Sequence, residues 1–175
     1  EAKLAPKLLF STDLFEIDSI TRKLDLLNTK RKLIENKVFN EAKEQAYKLN
    51  NHKILILHSY DWHLGVLGIV ASKLVDHFGK PVIVLSKSEL NATGSARSIP
   101  GVNLGALILS AKSQGIILEG GGHYMAGGLK VKITNIDNLL EFFNKNITST
   151  LNNYENINII YDSVISIEEL NNDFL

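Results

Sequence analysis

The 175-residue chain contains no cysteine. That excludes disulfides, zinc ribbons and thiol catalysis, and it fits a reducing cytoplasm. It has one Met, one Trp and three Pro. No apolar run approaches the ~18 residues of a membrane span. The opening EAKLAPKLLF carries charges where a secretory signal needs an apolar stretch. The expectation is a cytoplasmic protein without membrane contact. An excess of charge of one sign is also missing: 19 Lys and Arg balance 19 Asp and Glu. The chain as a whole therefore exerts no strong electrostatic pull on nucleic acid. No His, Asp or Glu set has metal-ligand spacing, and there is no nucleophile elbow or paired-carboxylate arrangement.

What is present is a core. Hydrophobic residues make up 45% of the chain and mean hydropathy is +0.03. This excludes a wholly disordered chain and suits one or two small domains. Charge and glycine are unevenly spread. Residues 1–50 carry 10 basic and 8 acidic side chains, residues 51–150 carry 9 and 6, and residues 151–175 carry 0 and 5. Nine of the 12 glycines lie between Gly94 and Gly128. Backbone permissiveness is concentrated there, and so is the search for chemistry.

Residues 1–10 read as the end of a short helix. Ser11, Thr12 and Asp13 offer N-caps, and Glu16 stands three after Asp13 as in a capping box. Ile17, Ile20, Leu24, Leu27, Ile34, Val38, Ala42, Ala46 and Leu49 then recur at helical spacings. They predict one amphipathic helix over 13–49, roughly 55 Å long, with a narrow apolar stripe that Arg31 interrupts. It reads as a strut between two domains or as half of a helical hairpin. From Lys53 the pattern changes to a βαβ unit. It comprises a buried strand Ile54–Leu57, a helix over 65–78 with Val66, Ile69, Val70, Leu74 and Phe78 on one side, and a buried strand Val82–Leu85. The two strands should be parallel. Further elements are a third strand over 92–98, a helix over 103–114, an alternating strand Leu129–Ile133 and a helix over 136–147. The acidic, Asn-rich tail from about 151 contains two possible strands, Ile157–Tyr161 and Ser163–Ile167. The predicted fold is α/β, a mixed, partly parallel sheet flanked by helices and preceded by a long linker helix.

Three segments stand out chemically. Gly120-Gly121-Gly122-His123 disfavours any regular element, since each glycine costs roughly 0.5–1 kcal/mol relative to Ala. Such a run suits a place where a ligand approaches the backbone or where N–H groups converge on an anion, with His123 as an added donor. A mobile turn with a solvated His is the plainer alternative. In Thr93-Gly94-Ser95-Ala96-Arg97-Ser98, Arg97 is the one Arg outside the long helix. A chain that otherwise uses Lys has reason to place a planar fork where phosphate binds, with Ser95 and Ser98 as further donors; a surface strand with an incidental Arg is the alternative. Trp62-His63-Leu64-Gly65 lies between a parallel strand and its helix, the usual ligand position in α/β sheets. His63 either faces that crevice or caps the helix, and Trp62 is equally suited to the core. Lys73 and His77 read as a solvated helix face. Taken together, the residues describe an α/β domain that binds a phosphate-bearing ligand.

The segments WHLGVLGIVASKL (62–74), KPVIVLS (80–86), GSARSI (94–99) and GGGHYMAGGL (120–129) occur in this order behind a helix containing LDLLNTKRKLIE (24–35). This set resembles the DHH-associated domain of the RecJ family of single-stranded-DNA-specific exonucleases, within the DHH phosphoesterases. The resemblance implies a substrate-binding domain over 51–150, with residues 1–50 as the helical linker from a catalytic DHH lobe. Residues 151–175 would begin an oligonucleotide-binding fold. It implies a parent hydrolase that cuts single-stranded DNA from the 5′ end in repair and recombination, with Mn²⁺ or Mg²⁺ held by the DHH lobe and none in this chain. The partners implied are single-stranded DNA and that lobe. By motif matching, His63, Ser95, Arg97, Ser98, Gly120, Gly121, Gly122 and His123 would bind substrate, and none would be catalytic. Ala96 stands where the family often has Gly, and Gly127 where Ala is common. A DHH-family nucleotide or short-oligonucleotide phosphodiesterase and an alanyl-tRNA-synthetase-like tRNA-binding module are the alternatives.

Overall fold

The computed structural model describes residues 3–49, 51–147 and 165–166. A short helix α1 (Leu4–Phe10) leads into the 35-residue helix α2 (Leu14–Lys48). Asp13 caps α2 by accepting from the Phe15 N–H at 2.9 Å. Glu16 does not complete the expected capping box. It turns back to accept from Ser11 Oγ at 2.6 Å and pairs with Lys7 Nζ at 2.5 Å, so it ties α1 to α2 instead.

After α2 come β1 (Leu55–Ser59), a 3₁₀ turn (Leu64–Val66), α3 (Leu67–Phe78) and β2 (Val82–Lys87). β1 and β2 are parallel, as the βαβ reading requires. α3 stops at Gly79, whose φ of 62° is the left-handed conformation that only glycine adopts cheaply. The chain continues through β3 (Asn91–Arg97), α4 (Leu104–Ser113), β4 (Glu119–Gly122), β5 (Ala126–Lys132) and α5 (Ile136–Asn146). The sheet order is β1-β2-β3-β5-β4, antiparallel after the first pair. This is the mixed, helix-flanked sheet anticipated from the sequence. The triple glycine, expected as a turn, is instead strand β4. The turn falls one residue later, where the His123 N–H donates to Ala126 O at 2.7 Å. The tail segments Ile157–Tyr161 and Ser163–Ile167 fall outside the described residues, save for 165 and 166.

Alternating side chains divide the sheet into two cores. Ile54, Ile56, Ile83, Leu85, Leu129 and Val131 face α4 and α5. Leu55, Leu57, Val82 and Val84 face α3 and the C-terminal part of α2, through Val38, Ala42 and Ala46. α2 is therefore part of this body over its second half. Leu26 and Leu33, in its middle, remain exposed. Trp62 is core, 2% exposed, with Nε1 donating to Glu41 Oε2 at 2.8 Å. Ile69, predicted inward, is 40% exposed because α3 turns Leu67, Val70, Ala71 and Leu74 to the sheet.

Several polar contacts fasten α2. Glu35, 4% exposed, accepts from Arg31 on its own helix and from Lys73 on α3, each at 2.5 Å. Lys73 is thus a clamp on α3 rather than a merely solvated cation, and His77 Nε2 lies 3.2 Å from the Tyr47 hydroxyl. At the sheet edge, Gln45 meets the main chain of β1. Its Nε2 donates to His58 O and its Oε1 accepts from the His58 N–H, both at 3.2 Å.

Candidate nucleic-acid interface

The pleat of β3 decides which residues meet. Ala92 and Ala96 point into the α4/α5 core, so Thr93, Ser95 and Arg97 point to the opposite face. Gly94 lies so close to β2 that a methyl there would stand 1.9 Å from Val84 O. Across β3, register places Lys130 beside Thr93, Gly128 beside Ser95 and Ala126 beside Arg97. One strand further, Glu119 neighbours Lys130 and Gly121 neighbours Gly128. These residues form one face of the sheet beyond α3, with Arg97 and Ser95 at the margin of that helix.

Arg97 is half-buried. Its Nη1 donates to Ala96 O at 2.9 Å, which fixes the guanidinium along the strand. A methyl on Gly68, in the first turn of α3, would stand 3.0 Å from Arg97 Nη2 and 3.7 Å from Ser95 Oγ. The fork and the hydroxyl therefore converge on the start of that helix, and Gly68 leaves room for the guanidinium. Among the described residues, no carboxylate lies within ion-pair distance of Arg97, and the Ser95 hydroxyl has no hydrogen-bond partner. An Arg held in place without a counter-charge is a ready anion receptor.

The glycines divide by the direction they face. Methyls on Gly120 and Gly127 would collide with Ile108 at 2.8 and 2.5 Å, and one on Gly122 would meet Ala126 O at 2.4 Å. Close packing of the hairpin and α4 explains these three. A methyl on Gly121 would meet nothing within 4 Å, and one on Gly128 only Gly94 O at 3.6 Å. Packing does not explain these two, which floor the open face.

The tip beyond β4 is held rigidly. The Gly105 N–H donates to His123 O and the Leu104 N–H to Tyr124 O, both at 3.0 Å; the Ser98 N–H donates to Met125 O at 2.9 Å. The first amides of α4 are thereby consumed by the tip's carbonyls, and Asn103 Oδ1 accepts from the Ala106 N–H at 3.0 Å. His123 is left exposed at the same end of the sheet as Arg97.

Of the residues singled out in the sequence, Ser95, Arg97, Gly121 and His123 are brought to this face or its end. Gly120 and Gly122 are hairpin-packing positions. Ser98 is 3% exposed and its hydroxyl donates to Val102 O at 2.7 Å, so it locks the β3–α4 loop rather than serving the face. His63 caps the 3₁₀ turn, its Nδ1 accepting from the Gly65 N–H at 3.1 Å. It lines a separate hollow with Lys30 and Arg31 against α2. Thr93, Gly68, Gly128 and Lys130 were not singled out, because their place on this face depends on β3–β5 register and on the docking of α3.

Residues 51–149 match the DHHA1 domain, and the chain belongs to the DHHA1 domain family. Its relatives are RecJ single-stranded-DNA-specific exonucleases. The Bacillus subtilis protein is 36% identical over 86% of this chain, and the Haemophilus influenzae protein 33% identical over 83%. The chain spans only 19% and 27% of those two proteins. RecJ from Thermus thermophilus, solved with Mn²⁺, superposes with a TM-score of 0.75 at 25% identity, covering 84% of this chain and 22% of that one. The same RecJ has also been solved with Mg²⁺. Among the described residues of this chain, no three His, Asp or Glu side chains converge to hold a metal ion, and no helix is long and apolar enough to cross a membrane.

Proposed function

We propose that this chain is the substrate-holding part of a RecJ-like, cytoplasmic 5′-to-3′ single-stranded-DNA exonuclease acting in repair and recombination. Residues 1–50 would link it to a catalytic DHH lobe, and 151–175 would begin a following oligonucleotide-binding fold. The observation that carries the reading is the un-neutralised Arg97 fork beside the free Ser95 hydroxyl, at the margin of a floor of Gly121 and Gly128. Arg97 grips two oxygens of a DNA phosphate, and Ser95 donates to the same group. Gly121 and Gly128 let the sugar–phosphate chain approach the main chain, and His123 presents a ring donor at the end of the floor. In the parent enzyme Mn²⁺ or Mg²⁺ supplies an activated water. The described residues of this chain do not fit such an ion, so their work is to bind and orient.

Binding of short 5′-phosphorylated deoxythymidine oligonucleotides, read by fluorescence anisotropy, tests this. Weak binding with a shallow salt dependence is expected, since few phosphate contacts release few counterions. Arg97→Lys keeps the charge but loses the fork, and should weaken binding about tenfold to a hundredfold, or ~1–3 kcal/mol, at unchanged melting temperature. Unaltered affinity would make Arg97 an ordinary surface residue. Preference for tRNA over single-stranded DNA would favour an alanyl-tRNA-synthetase-like module instead.

A further inference from the structure

The open face continues past Ser95. Two residues back along β3 stands Thr93, and beside it on β5 stands Lys130. With Gly128 and Glu119 they line a shallow concavity of about 470 Å³. Lys130 Nζ lies 3.5 Å from Glu119 Oε1, and both side chains are substantially exposed. Lys132 follows on the same side of β5 and is exposed. Among the described residues of these strands, Arg97, Lys130 and Lys132 share this face with the carboxylate of Glu119.

The spacing has a direction. Residues two apart on a strand are separated by roughly 6.5–7 Å, so Thr93 lies one such step from Ser95, and Lys130 one step from Gly128. A chain of phosphates entering at Arg97 and crossing the glycine floor arrives at Thr93 and Lys130. Building on the reading that Arg97 binds a DNA phosphate, we infer that the Thr93–Lys130 concavity is a second phosphate subsite. It receives the next phosphate of a single strand laid across β3 and β5. Lys130 provides the charge and Thr93 a hydroxyl donor. Glu119 holds Lys130 when the site is empty and competes with the incoming phosphate.

The competition gives the test its sign. Affinities for thymidine 5′-monophosphate and for 5′-phosphorylated oligothymidylate are compared across wild type, Lys130→Ala, Glu119→Gln and Arg97→Ala, with the salt dependence of each. Lys130→Ala should leave the mononucleotide unaffected. It should weaken the oligonucleotide about threefold to tenfold and reduce the magnitude of the log–log salt slope by about 0.7, the value of one single-strand phosphate contact. Glu119→Gln should tighten the oligonucleotide, because it frees Lys130. If Lys130 serves only to pair with Glu119, breaking the pair from either side has the same effect, and like-signed changes overturn the subsite. An unchanged salt slope in Lys130→Ala, with Arg97→Ala still weakening both ligands, overturns the subsite and leaves the Arg97 reading standing. Absence of any oligonucleotide binding by wild type overturns both.

Discussion

A glycine can be present because something inside the protein leaves no room for a methyl, or because something outside must come close. The β4–β5 hairpin contains both kinds, adjacent in sequence. A methyl on Gly122 would stand 2.5 Å from Gly127 Cα, whereas one on Gly121 would meet open space. Gly122→Ala should therefore lower the melting temperature through overpacking of about 1–3 kcal/mol. Gly121→Ala should hold or raise it, since Ala in a strand gains roughly 0.5–1 kcal/mol over Gly, while weakening oligonucleotide binding. Thermal melts and anisotropy on the two variants check the division; a Gly121→Ala variant that binds like wild type removes the floor from the interface. The sequence announced that the triple glycine mattered, but not which glycine served what. That depends on the pleat of β4 against β5 and on where Ile108 of α4 reaches, neither of which is local to the GGG run.

At the scale of elements, most of the chain was legible. α2 announced itself by a helical period free of Pro and Gly, and β1, α3 and β2 by a switch of period between turn signals. β4 was not legible, because glycine has no strand preference of its own. Pairing with β5 and packing under α4 make it a strand. The junction of α2 with α3 was also hidden, since Glu35, Arg31 and Lys73 look like ordinary helix-surface charges. In the fold, the hydrogen bond from Lys73, aided by Arg31, holds the Glu35 carboxyl below its ordinary range against the opposing effect of burial. A depressed folded-state value means that this clamp stabilises fully above the unfolded carboxylate range and fades as pH falls through the folded value. Glu35→Gln should cost about 1–2 kcal/mol at neutral pH. Its deficit against wild type should shrink on acidification below about pH 4.5, the unfolded carboxylate range. Urea titrations of both proteins at pH 7 and pH 3.5 check this, and a deficit independent of pH would assign the loss to packing.

For the whole molecule, charge neutrality concealed an asymmetry that only folding reveals. The balanced totals exclude a strong general attraction to nucleic acid, whereas among the described residues register sets Lys130 beside Thr93 on the same side of the sheet as Arg97. Among the described residues no three His, Asp or Glu side chains converge to hold a metal ion, and the purified chain with Mn²⁺ or Mg²⁺ should release no nucleotide from 5′-labelled single-stranded DNA. Metal-dependent release by the pure chain would require a metal site beyond the described residues. The glycine floor has a last consequence. Amides and Cα hydrogens are the same beneath every nucleotide, and they carry none of the donor and acceptor patterns that tell one base from another. A strand resting on Gly121 and Gly128 is felt through its backbone alone, so purine-rich and pyrimidine-rich strands should pass across this face with similar ease.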